Sequence, residues 1–297
     1  MSAITIEGDL IHYEKLGRGR PVILIHGWIG SWRYWIPLMQ QLHVRFSVYT
    51  LDLAGFGDSV KNPAKYPLAE QVELVYRFME QLGIPKAAMV GHGLGALVLT
   101  HFAHRHPERL ARLLLVSAPL LDPGSLRNQL GAPAARVEVG AGRLGASSTV
   151  PVSRAATSLT DLINGRNLYG LLEKCFRKTD PTYDKLRVDV EKADAAAINA
   201  SLEGFDSLAY LNHVRGLTCP TVVVHGADDP VIPAPSDEVW QYLTADRDDH
   251  FVPIPLNGVR HFPMLEHEPF MRLAGDFLDT PDIARIEVRE RWRRRSR

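Results

Sequence analysis

Apolar and polar positions alternate along most of the chain between two periods, one of strands and one of helices. Ile4 to Glu7 and Leu10 to Lys15 read as short strands joined at Gly8-Asp9, an antiparallel start. Pro21 to Ile25 is a compact apolar run ending at His26-Gly27, and Trp32 to Leu42 then carries apolar residues at helical spacing. Phe46 to Leu53 predicts the next strand, closed by Gly55-Phe56-Gly57-Asp58-Ser59, and Leu68 to Leu82 predicts a helix. Ala87 to Val90 predicts a strand and Leu94 to His106 a helix, with Gly93 at the hinge between them. Leu110 to Val116, Thr221 to His225 and Phe251 to Ile254 predict further strands, and Ser236 to Leu243 and Pro269 to Leu278 further helices. Short buried strands alternating with helices predict an α/β fold: a mostly parallel, eight-stranded sheet flanked by helices.

The alternation lapses between Pro119 and about Leu217, a stretch far longer than an ordinary strand-to-helix connection. An inserted subdomain is the expectation, with residues 1–121 and 214–280 forming the core, 122–213 the insertion and 281–297 a basic C-terminal tail. Within the insertion, Gly131 to Ser158 is rich in Gly, Ala and Ser and predicts a mobile loop or weak helices. Leu159 to Phe176 and Val188 to Leu211 predict helices. The tail carries seven arginines between Arg285 and Arg297, diluted by Glu287 and Glu290, the pattern of a solvated terminus rather than a nucleic-acid arm.

Composition narrows the partners. A chain of 297 residues with 45% hydrophobic content can fill one large domain or a core with an insertion. Lys plus Arg and Asp plus Glu each number 34, so overall charge gives no reason to expect nucleic acid or an anionic membrane. No run approaches the roughly 18 to 20 apolar residues of a membrane span, and the first ten residues lack a basic start followed by an apolar run. A cytoplasmic location is the expectation. Cys175 and Cys219 are too few and too far apart for a disulfide framework or a metal motif, and no cofactor motif is visible.

Chemistry enters at Gly91-His92-Gly93-Leu94-Gly95, between a strand and a helix. Taken with three other motifs in order, His26-Gly27-Trp28, Gly55-Phe56-Gly57-Asp58-Ser59 and Gly226-Ala227-Asp228-Asp229-Pro230 followed by Arg260-His261-Phe262-Pro263, the chain resembles the α/β-hydrolase superfamily over nearly its whole length. The insertion would then be a helical cap over the pocket. By this resemblance Gly93 stands at the nucleophile position, where the side chain is absent. His261 would be the general base and Asp229 the residue orienting it. The neighbouring Asp228 could do the same in principle, and Asp122, just after an earlier strand, is a third candidate because some relatives carry the acid there. Backbone N–H groups of Trp28 and Leu94 would form the oxyanion hole, and His26, Gly27 and His92 would flank the pocket. Epoxide hydrolases and haloalkane dehalogenases need a carboxylate at position 93, which outweighs the hint of Tyr169 and Tyr183 in the insertion.

Each of these residues also has an ordinary structural role available. His261 alone could cap a turn, His26 and His92 could pack behind loops, Asp58-Ser59 is a turn-stabilising pair, and glycine at 93 relieves the strain that an elbow imposes on a residue with a Cβ. Three functions remain open. One is hydrolase-like chemistry on a small, largely apolar molecule, by a water that His261 activates or by a lyase or isomerase step with His261 as base. The second is a ligand-binding or accessory protein without turnover. The third is a serine hydrolase of esters or carbon–carbon bonds carrying a deliberate Ser-to-Gly change at position 93.

Overall fold

A computed structural model describes residues 2–124, 126, 158–245, 247, 250–266, 268–280, 283 and 286. Most of the predicted loop at 131–158 and nearly all of the arginine-rich tail lie outside the described residues. Eight strands form one sheet: β1 (Ser2–Ile6), β2 (Asp9–Leu16), β3 (Arg20–Ile25), β4 (Phe46–Leu51), β5 (Ala87–His92), β6 (Leu110–Val116), β7 (Thr221–Gly226) and β8 (Phe251–Leu256). Their order is β1-β2-β4-β3-β5-β6-β7-β8. β1 and β2 pair antiparallel with each other, β2 pairs antiparallel with β4, and every later pairing is parallel. The apolar runs in β3, β5, β6 and β7 follow from this, because helices cover both faces and residues such as Ile23, Val90, Leu114 and Val223 are all buried.

The predicted helix over Trp32 to Leu42 divides into a short 3-10 turn, Trp32–Trp35, and α1 (Ile36–Leu42). Pro37 lacks the N–H that would continue an earlier helix and is suited to a first turn. α2 (Leu68–Gln81) and α3 (Leu94–Arg105) lie close to their predicted spans. In the insertion the structure departs from two long helices. α4 (Leu159–Leu162) and α5 (Leu168–Cys175) replace the first, and α6 (Pro181–Lys192), α7 (Ala195–Leu202) and α8 (Ser207–Arg215) replace the second. The carboxylates of Asp180, Asp194 and Asp206 accept backbone N–H bonds from Thr182, Ala196 and Ala209, so each caps a new helix, the last two where apolar spacing suggested continuity. Gly165 breaks the earlier stretch, since a Cβ there would press on Ala195. α9 (Asp237–Thr244), α10 (Pro263–Glu266) and α11 (Glu268–Asp279) complete the chain.

The insertion is tied to the core along one side. Arg33 bridges Asp58 at 2.6 Å and Asp189 of α6 at 3.2 Å, and Lys192 reaches the other oxygen of Asp58 at 2.6 Å. Tyr66 donates to Asp194 at 2.7 Å, and the Trp28 indole N–H donates to Ser201 of α7 at 3.0 Å. These contacts bring α6 and α7 over the loops that follow β3 and β4. Among the described residues no helix is long and apolar enough to cross a membrane.

Candidate active site

β5 runs straight into α3 through Gly93, whose φ of 52° and ψ of −109° form a tight reversal that a side chain adopts only under strain. Gly91 and Gly95 serve a different purpose. A Cβ on Gly95 would overlap the carbonyl oxygen of Ile25, and one on Gly91 the carbonyl of Gly95, so both glycines let α3 close against β3 and β5. At Gly93 the fit is close but not blocked by backbone: a Cβ would lie 3.3 Å and 3.4 Å from Cε3 and Cζ3 of the Trp28 indole and 3.5 Å from the Gly27 Cα. The backbone turn, not crowding, is what favours glycine there.

Of the three acids that the sequence left open, Asp229 is the one hydrogen-bonded to His261. Its Oδ2 lies 2.8 Å from His261 Nδ1, both side chains being essentially buried. The other oxygen of Asp229 accepts the N–H groups of Val231 and Ile232 at 2.8 Å and 2.9 Å, which fix the carboxylate. Asp122 instead accepts from Ser236 and from the backbone of Gly124, and Asp228 is exposed. Burial pushes the Asp229 carboxyl up, but the opposing charge and hydrogen bond of His261, with the two backbone donors, outweigh it and hold it at about 2.

Behind this pair lies a hydrogen-bonded wall. His92 Nε2 is 2.9 Å from the carbonyl oxygen of His261, which also accepts from Ser117 Oγ at 3.2 Å. His92 Nδ1 is 2.9 Å from the Tyr34 hydroxyl, and that hydroxyl accepts the N–H of Gly27 at 2.5 Å. Burial drives the His92 imidazole well below the ordinary histidine range, and the charge on His261 adds to this. His26 is equally buried, its Nε2 accepting the Leu53 N–H at 3.0 Å and its Nδ1–H donating to the Gly27 carbonyl at 2.9 Å. Because a trans peptide points its C=O and N–H in opposite directions, His26 also sets the Trp28 N–H to face away from the His26 ring. Both ring nitrogens of His26 and of His92 are thus engaged by the protein. Leu94 opens α3, so its N–H is one of the first-turn donors with no partner inside the helix. Tyr169 is exposed, and the Tyr183 hydroxyl reaches Glu173 at 3.5 Å.

Among the described residues, one group of possible metal ligands, His12, Asp52 and Asp58, comes together within 4.8 Å. Its carboxylates are already occupied: Asp52 accepts the N–H groups of Trp32 and Asp58, and Asp58 is paired with Arg33 and Lys192. Two fixed cations supply the charge that a metal would bring.

A family profile described as alpha/beta hydrolase fold matches residues 20–267. The chain belongs to this family. Over 122 residues it is 34% identical to bifunctional epoxide hydrolase 2 of Rattus norvegicus, a segment covering 39% of the chain and 22% of that protein. Over 145 residues it is 34% identical to a (lyso)-N-acylphosphatidylethanolamine lipase of Mus musculus, covering 46% of the chain and 41% of the lipase. The matches thus span less than half of either relative. Among solved structures, an esterase of Exiguobacterium antarcticum superposes with a TM-score of 0.71 at 18% identity, covering 94% of this chain and 99% of its own. That likeness concerns the fold. In the alpha/beta hydrolase fold of this chain, the Asp229–His261 pair, the Gly93 turn and the loop after β3 meet at the ends of the parallel strands.

The acid side of the stability profile follows from two buried groups. Burial holds His225, ordinarily near 6.5, at about 4, so protonation of the unfolded chain costs stability as pH falls through that window. Asp229, ordinarily near 3.8, is held at about 2, so its share is complete above the higher value and is lost as pH falls toward the lower. That share is on the order of 2 kcal/mol. Denaturant titrations from pH 7 to 2 are expected to show both declines, the second flattened in Asp229→Asn. An unchanged acid limb in that variant would contradict the assignment.

Proposed function

We propose that the chain is a hydrolase for a small, largely apolar organic molecule held under the inserted helices, residues 122–213 acting as a cap, with water attacking in place of a serine. His261 Nε2 takes a proton from the water as it adds to the substrate carbonyl carbon and returns it to the leaving group. Asp229 holds the imidazole in the required tautomer and stabilises its protonated form. The N–H groups of Trp28 and Leu94 receive the developing oxyanion. The observation that carries this reading is the buried 2.8 Å Asp229–His261 pair beside a nucleophile turn that has kept its backbone shape without a side chain. The pair holds an imidazole in one orientation beside the turn, which is what a general base requires.

A ligand-binding protein without turnover is the second reading, favoured by the relief that glycine gives at φ 52°. Assay of the chain and of His261→Ala against small esters and carbon–carbon bond substrates separates the two. Hydrolysis that disappears in the variant supports water activation by His261. Hydrolysis that persists sinks it, and ligand binding with no turnover in either protein gives the place to the second reading.

A further inference from the structure

We infer that Tyr34, His92 and Ser117 are positioning residues: a buried relay of hydrogen bonds that runs behind the Gly93 turn and locks the loop after β3 to the loop carrying His261. The inference rests on the reading of His261 as the general base. Its direction can be deduced atom by atom. The His261 carbonyl can only accept, so His92 Nε2 carries the proton and donates to it. In a neutral imidazole Nδ1 is then the acceptor, so the Tyr34 hydroxyl donates to it across 2.9 Å. A lone pair of the same hydroxyl is left to receive the Gly27 N–H at 2.5 Å. The line Gly27 N–H to Tyr34 O–H to His92 to the His261 carbonyl therefore has one consistent arrangement of protons.

Each end of that line matters to a different part of the site. Gly27 precedes Trp28, whose N–H is a proposed oxyanion donor. His92 is the residue before Gly93, and its ring lies 4.6 Å from the His261 ring. The His261 carbonyl is the backbone of the base itself. Ser117 adds a second donor to that carbonyl, and does so from a backbone φ of 45°, an uncommon conformation for a residue with a side chain. Strain of this kind at a buried hydrogen-bonded residue marks a position fixed by its surroundings.

The relay is also insulated from the chemistry it supports. Burial keeps the Tyr34 phenol far above neutral pH and the His92 imidazole well below it, so neither changes charge while His261 takes and returns a proton. A second cation beside the base is thereby avoided. Tyr34 and His92 also pack edge to face, with ring centroids 5.5 Å apart.

Tyr34→Phe preserves the shape and removes only the hydroxyl. Nitrogen-15 spectra of the histidines in the unmodified chain are expected to show His92 neutral with Nε2 protonated at neutral pH; a protonated Nδ1 overturns the relay. In Tyr34→Phe the Gly27 amide is expected to exchange faster with solvent and the His261 ring resonances to move, and no change in either also overturns it. In a Gly93→Ser background with esterase activity, Tyr34→Phe is expected to lower kcat roughly tenfold or more with KM nearly unchanged. A merely structural hydroxyl would leave kcat per folded molecule intact, and that result counts against the inference. His92→Gln, which can still donate to the His261 carbonyl, should retain more kcat than His92→Phe. If Gly93→Ser shows no activity, the reading of the site as a hydrolase fails, while the spectra and amide exchange still decide the relay.

Discussion

Gly93→Ser is expected to raise esterase turnover at least roughly 10³-fold over the unmodified chain, because the proposed site has its base, acid and backbone oxyanion donors and lacks only the nucleophile. The turn at 93 has a φ of 52° and a ψ of −109°, so the hydroxyl would leave the backbone where a nucleophile elbow presents it. Space allows it: the nearest heavy atom to a Cβ is Trp28 Cε3 at 3.3 Å, a contact that a shift of the indole by a few tenths of an ångström relieves. Strain costs about 1 to 3 kcal/mol at such a backbone position, which lowers the stability of the variant without removing the turn. Oxyanion donors from the backbone are indifferent to the change at 93. Initial rates on small esters, together with a denaturation curve, measure both consequences. A folded variant with no gain would remove the Asp229–His261 assignment, since a base at that position could not then reach the new hydroxyl.

How far the sequence leads to this site depends on the range over which each part is held together. The strands and the Gly93 turn were legible because their causes are local: a run such as Val22 to Ile25 is apolar because helices cover both faces, and Gly91, Gly93 and Gly95 stand within one turn. Motif position put Asp229 ahead of Asp122 and Asp228, but what holds it to His261 lies beyond local pattern: two backbone N–H groups and a histidine 32 residues away. Tyr34 was invisible as a functional residue. It lies in an apolar stretch where an aromatic ring reads as core, and its hydroxyl meets His92 across 58 residues. His26 and His92 were placed beside the pocket by motif, with packing behind the loops as their ordinary role, and their ring nitrogens are all engaged by the protein. The division of the insertion into short helices did have a signal, the aspartates at 180, 194 and 206, but apolar spacing alone conceals a cap.

In the Gly93→Ser chain, His261→Ala is expected to remove nearly all of the gained activity, a loss of roughly 10³-fold or more, and Asp229→Asn a smaller share. The order follows from the chemistry. Without the imidazole there is no acceptor for the serine proton, whereas without the carboxylate the imidazole remains but loses the partner that fixes its Nδ1–H and steadies its positive form. Combining the two changes should cost little more than His261→Ala alone, because Asp229 acts on the reaction only through His261, 2.8 Å away. Additive losses in this cycle would mean that Asp229 contributes by a separate route, and an unchanged rate in His261→Ala would mean that the new hydroxyl takes its base from elsewhere. The pH profile gives an independent check. Asp229 is held at about 2, so it stays ionised across the neutral range and the rate there should not follow its protonation.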